Sequence, residues 1–168
     1  TISQMKAKLR RVDAKKLGLI VIDYLQLMKG DKKYDSRQNE VADISRNLKL
    51  MAKDFGVPII CCAQLSRNPE SRKSSEGGHR PMLSDLRESG SIEQDADMVM
   101  LLYSDEYYDL TKEERAMTRI FEVIVAKNRH GETKTVKMGW VPQFTKFRTL
   151  LPEDEEKLLA EKQQREQG

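Results

Sequence analysis

The run Leu17 to Met28, LGLIVIDYLQLM, constrains the fold more than any other stretch of the chain. It is almost continuously apolar and shows no alternation, the pattern of a parallel strand covered on both faces. It ends on one carboxylate, Asp23, followed by a polar pair, Tyr24 and Gln26. Ligands in open α/β sheets gather at the carboxyl ends of such strands, so Asp23 is the first candidate for chemistry. A strand-end aspartate that merely starts a turn would produce the same local pattern.

The elements around this run fit a parallel sheet. Ile2, Met5, Leu9 and Val12 recur at three- and four-residue spacing and predict an amphipathic helix ahead of the strand. Val41, Ile44, Leu48, Met51 and Phe55 repeat the spacing, and Gly56 and Pro58 end that second helix. Pro58 to Ala63, PIICCA, is a second buried strand that ends on Gln64. Helix, strand, helix, strand with short connections implies right-handed crossovers, which bring Asp23 and Gln64 to one sheet edge.

Downstream, the polar stretch Ser66 to Pro81 is read as a mobile surface loop. A turn or short helix follows over Ser84 to Gln94, then a buried strand from Met98 to Tyr103, with Met98 and Met100 read as core. Tyr107 to Met117 is read as short helix and loop. Arg119 to Arg129 alternates as a half-exposed strand should, Gly131 marks a hairpin turn into Thr133 to Val141, and Phe144 to Arg148 forms a last strand. The chain thus divides into 1–151 and a charged tail, 152–168, with almost no apolar face to bury.

Composition excludes some classes and leaves others open. The 168 residues suffice for a real core. With 30 basic against 27 acidic side chains the formal charge is +3, compatible with nucleic-acid binding without demanding it. Cations concentrate at residues 1–16 and 127–148. Cys61 and Cys62 are adjacent in an apolar run and read as small buried hydrophobes in a reducing compartment. With neither a signal peptide nor a stretch of membrane-spanning length, a cytoplasmic protein without a membrane partner is expected. His79 and His130 lack ligand-spaced neighbours, so a histidine metal site is not expected.

Four segments in order resemble the motor domain of the bacterial replicative helicases, the DnaB family: LIVIDYLQLM, VPIICCAQLSR, PMLSDLRESGSIEQDADMVMLLYSDEYY and VIVAKNRHGETKTVKMGW. The resemblance covers the chain except its tail, and DLRESGSIEQDAD is its most specific part. It implies an α/β fold: part of a RecA-like P-loop NTPase core, a parallel sheet with helices on both faces and a C-terminal antiparallel hairpin. It also implies ATP and Mg2+ as cofactors, a homo-hexamer on single-stranded DNA, partnership with a primase and a helicase loader, and unwinding in the 5′ to 3′ direction.

Residue by residue, Asp23 matches the family's Walker B carboxylate, a hard oxygen ligand that helps hold magnesium on the nucleotide phosphates. Gln64 matches a γ-phosphate sensor; an amide can donate to phosphate and accept from water without adding charge. As a bare residue it could equally cap a buried strand. Arg87, Glu88 and Gly90 match the segment that tracks DNA, where a long cation and a glycine admit a phosphate backbone without reading sequence; by composition the first two could be a surface pair. The loop with Arg72, Lys73 and Arg80 is expected to face the same channel. Lys127 and Arg129 match the pair presented in trans to a neighbour's γ-phosphate, and two edge-strand cations could otherwise discourage aggregation. Lys134 and Lys137 are unassigned.

No G-x-x-x-x-G-K-[ST] loop occurs. The family places it, with its catalytic glutamate, ahead of the first helix seen here, so this chain is expected to be the C-terminal part of a motor and inactive alone. A non-catalytic DNA-binding or assembly module with a RecA-like half-fold is the alternative. A recombinase or circadian-clock type ATPase is disfavoured by the long DLRESGSIEQD match.

Overall fold

The structure, a computed structural model, describes residues 1–65, 79–104 and 118–166, with backbone only at 14, 87–89 and 161–166. The predicted loop at 66–78 and the short helix at 107–117 lie outside the described residues. Residues 1–65 and 83–96 belong to one compact unit, and 79–82 and 97–166 to a second.

The first unit is built on α1 (Ile2–Leu9), β1 (Ile20–Ile22), α2 (Arg37–Phe55), β2 (Ile59–Cys61) and α3 (Gly90–Asp95), the last preceded by a 3-10 segment, Leu83–Ser89. Thr1 caps α1, its Oγ1 accepting from the Gln4 N–H at 3.4 Å. Ser36 caps α2 through the Asn39 N–H, and Gly56 ends it at φ 64°, a left-handed conformation that glycine adopts without a Cβ penalty. β1 and β2 pair in parallel, Ile20 opposite Ile59 and Ile22 opposite Cys61.

The face toward the helices is the core. Ile2, Ile20, Ile22, Leu25, Val41, Ile44, Leu48, Met51 and Val57 are buried in one cluster, with Ile92 of α3 packed against it. Ser45 in α2 donates to Asp95 Oδ2 at 2.8 Å and fastens α3 to the same helix. The other face differs from the expectation of a strand covered on both sides. Val21 is 60% and Ile60 47% exposed, because α1 and α2 pack on only one side of this two-stranded sheet. Cys61 is half-buried and burial pushes its thiol up to about 11, but Cys62 is exposed, so only one of the pair acts as a hydrophobe. Val12, expected on the buried face of the first helix, lies beyond its end and is exposed.

The second unit is an antiparallel sheet in the order β3 (Met98–Tyr103), β4 (Arg119–Asn128), β5 (Lys134–Val141) and β6 (Lys146–Thr149), followed by α4 (Pro152–Glu166). The predicted hairpin joins β4 to β5. Phe147 lies edge-on to Phe121 at 5.1 Å and against Trp140 at 4.6 Å, tying β6 across the sheet. Acidic side chains in the first turn of α4 pair with sheet cations, Glu155 with Lys137 and Asp154 with Arg148.

Met98 and Met100 are not core. They are 48% and 50% exposed, while Val99 and Leu101 between them are buried. Both faces of MVMLLY are apolar, so alternation alone could not indicate which one the unit covers. Leu101→Ala should therefore cost about 2–5 kcal/mol in urea unfolding, whereas Met100→Ala should stay within about 0.5 kcal/mol of the parent.

Candidate functional site

Parallel pairing delivers both strand tips of the first unit to one edge. Asp23 follows β1 directly and its carboxylate is exposed; the Asp23–Tyr24 peptide bond is cis. The ladder continues past the strands, with Cys62 N–H donating to Ile22 O at 2.9 Å and Leu25 N–H to Cys62 O at 2.9 Å. Gln64, also exposed, is then held by a side chain from the β1 side. Gln26 Nε2 donates to Gln64 O at 3.0 Å, and Gln64 N–H donates to Gln26 Oε1 at 3.2 Å. Asp23 and Gln64 are thus brought to the same edge, as the topology predicts.

The segment carrying Gln26 is fixed in turn by the head of α2. Arg37 donates to Gln26 O at 2.8 Å and to Met28 O at 3.1 Å, and is itself held by Glu40 at 2.6 Å. The second Glu40 oxygen accepts from the Gly30 N–H at 2.7 Å. These bonds, first that of Gly30 and then that of Arg37, hold the Glu40 carboxyl below its ordinary value. Further along the same loop, Tyr34 donates to Asp43 at 2.7 Å, which pushes the phenol up to about 12. Sequence reasoning noted Gln26 without giving it a task and passed over Arg37 and Glu40. One signal was available: a cation in the first turn of a helix opposes the macrodipole, so Arg37 needs another reason to be there.

Asp23 offers one hard oxygen. Among the described residues there is no group of three or more His, Cys, Asp or Glu side chains that could enclose a metal. A single exposed carboxylate fits magnesium, which commonly takes one or two protein carboxylates and completes its shell from phosphate and water.

Arg87 and Glu88 lie in the 3-10 segment that leads into α3, and Gly90 is the first residue of α3. Among the described residues, a Cβ built on Gly90 would meet nothing within 4 Å, so their packing does not require glycine there. Lys127 and Arg129 belong to the second unit. Lys127 is on β4, and Arg129 is one residue past its end, in the turn. Arg129 N–H donates to Asp97 O at 2.9 Å, and its guanidinium stands 3.7 Å from the Asp97 carboxylate. Arg80, expected to face a DNA channel, is engaged by the sheet. It pairs with Glu122, reaches Thr135 Oγ1 at 3.4 Å and lies 5.7 Å from the Tyr103 ring centre.

Comparison with known proteins gives this arrangement its context. Residues 1–149 match the family model described as the DnaB-like helicase C terminal domain. The chain belongs to that family. It is 48% identical over 151 residues to the replicative DNA helicase DnaC of Bacillus subtilis and 46% identical to the replicative DNA helicase DnaB of Geobacillus stearothermophilus. In both comparisons 89% of this chain is covered, and it spans 32% of the relative's length. A solved ATPase domain superposes with a TM-score of 0.77 at 41% identity, covering 90% of this chain and 52% of that one. A DnaB-like replicative helicase, described with its interactions with primase, superposes at 0.78 and 42% identity, covering 90% of this chain and 36% of that one. These neighbours bear out the α/β, RecA-like reading of the fold. Among the described residues no helix is long and apolar enough to cross a membrane.

In this DnaB-like domain the Glu40 contacts should register in acid. A carboxyl whose folded value is depressed stabilises the fold fully above its unfolded value and loses that contribution as pH falls through the folded one. The window therefore opens at the ordinary value of 4.5 and extends downward. Glu40→Gln is expected to melt lower than the parent at neutral pH and to lose less on transfer to about pH 3, as thermal scans at both pH values would read.

Proposed function

We propose that the chain is the C-terminal part of the motor of a replicative DNA helicase, in which ATP hydrolysis drives translocation along single-stranded DNA and unwinding at the fork. The observation that carries this reading is the exposed Asp23 carboxylate standing beside Gln64 at the tips of parallel strands, within a chain of the DnaB-like family. Asp23 holds magnesium on the nucleotide phosphates, and Gln64 contacts the γ-phosphate and reports its loss. ATP and Mg2+ are the cofactors; magnesium supplies the positive charge that offsets charge building on the transferred phosphoryl group.

Lys127 and Arg129 serve the neighbouring protomer of a homo-hexamer, offering cations to its γ-phosphate from the end of β4. The Arg129 main chain is fixed by its N–H at Asp97 O, and its half-exposed guanidinium stands 3.7 Å from the Asp97 carboxylate, an ion pair of small worth. Arg87, Glu88 and Gly90 follow the DNA backbone, and the open space over Gly90 suits close approach of a phosphate. Movement is 5′ to 3′, and a primase and a helicase loader are the protein partners. The primase assignment draws on the structural neighbour described with primase.

Two variants of the full-length protein test these roles. Arg129→Ala should lower ATP turnover by roughly a thousandfold or more while nucleotide binding stays nearly intact; equal loss of both would count against action in trans. Gly90→Ala should leave the urea midpoint unchanged and weaken single-stranded DNA binding in a fluorescence titration, and unchanged DNA affinity would remove Gly90 from the DNA path.

A further inference from the structure

We propose that Gln26 is a positioning residue for hydrolysis, clamping the main chain of Gln64 so that the sensor keeps its place beside Asp23. The inference rests on the reading of Gln64 given above and deepens it.

The clamp stands in for a strand. β2 ends at Cys61, and among the described residues the β1–β2 ladder does not extend to Gln64. Gln26 supplies the pairing with its primary amide, which donates to Gln64 O at 3.0 Å and accepts from Gln64 N–H at 3.2 Å. A side-chain amide offers a donor and an acceptor side by side. Glutamate keeps the reach and loses the donor; asparagine keeps the chemistry and loses a methylene of reach.

Gln64 uses only its main chain here, so its own side-chain amide takes no part in the clamp. The anchor behind Gln26 is also defined. Arg37 holds Gln26 O at 2.8 Å, Glu40 holds Arg37 at 2.6 Å, and both project from the start of the 19-residue α2. A side chain locked by a rigid element is what a reacting group needs behind it. Both clamp bonds are exposed to solvent, where hydrogen bonds add little to global stability, so their effect is on the position of Gln64. For hydrolysis, a shift of about an ångström in such a group can cost on the order of a hundredfold in rate.

The test uses the full-length protein with Gln26→Ala, the isosteric Gln26→Glu, Gln64→Ala and the double variant Q26A/Q64A. Amide exchange at Gln64 reads the clamp without reference to turnover: protection should be present in the parent and lost in Gln26→Ala. Unchanged protection overturns the clamp. Both Gln26 variants should lower DNA-stimulated kcat on the order of a hundredfold with nucleotide affinity retained, and should do so with the parent's melting temperature nearly preserved. The double variant should be no slower than the slower single one, since the two residues act as one unit. Parent-like kcat in the Gln26 variants beside an inactive Gln64→Ala, or losses that multiply in the double variant, overturns the positioning role. Full activity in Gln64→Ala overturns the reading of Gln64 itself and the inference with it, even where the exchange measurement finds the clamp intact.

Discussion

Parallel pairing of β1 with β2 is the constraint from which the first unit follows. Three residues on each strand make a short ladder, and a two-stranded sheet alone is marginal in water. A parallel pair also cannot close through a tight turn; it needs a crossover long enough to return the chain to the same end. α2 is that crossover, and it makes the sheet viable by burying Val41, Ile44, Leu48 and Met51 over Ile20 and Ile22. Once the strands run the same way, Asp23 and Gln64 have no option but to share an edge. The chemistry of the site is therefore a consequence of how the chain makes its core.

The head of α2 then does a second task. Glu40 in the first turn is where the helix dipole favours a carboxylate; Arg37 is where it disfavours a cation. The unfavourable placement is offset by three acceptors, Gln26 O, Met28 O and Glu40. The helix that packs the core through its apolar face thus also sets the conformation of the segment leaving β1. A displacement of its first turn would be felt at Gln26 before it was felt in the core.

Much of this was legible in the sequence, for reasons that can be stated. Helix periods in Val41 to Phe55, the apolar strands before Asp23 and Gln64, and the hairpin around Gly131 each report local chemistry, and each appears where predicted. The family was legible because DLRESGSIEQDAD is long and occurs in order with three other segments. What was not legible depends on partners distant in sequence. MVMLLY is apolar on both faces, so choosing Val99 and Leu101 over Met98 and Met100 requires knowing what β3 packs against. Exposure of Cys62 and Val21 depends on which face of the sheet the helices take. Arg80 looks like a loop cation until Glu122 and Thr135 are placed beside it. The bond between Gln26 and Gln64 joins positions 38 apart, and no local pattern announces it.

A similar limit governs the second unit, and it bears on how a cation can be offered outward from a sheet. Met98 faces Asn128 and Val99 faces Lys127, but Met100 faces Val125, so the β3–β4 register shifts at Ala126. A bulge of this kind changes the phase of Lys127 and Asn128 relative to the residues before Ala126, which period-2 reasoning along the whole strand cannot anticipate. β4 ends at Asn128, two residues past the shift, and the Arg129 N–H remains bound to Asp97 O. The main chain is fixed, and the guanidinium stands 3.7 Å from the half-exposed Asp97 carboxylate. Backbone anchorage of this kind sets where the side chain can reach, and a half-exposed ion pair at that distance adds little to the stability of the fold.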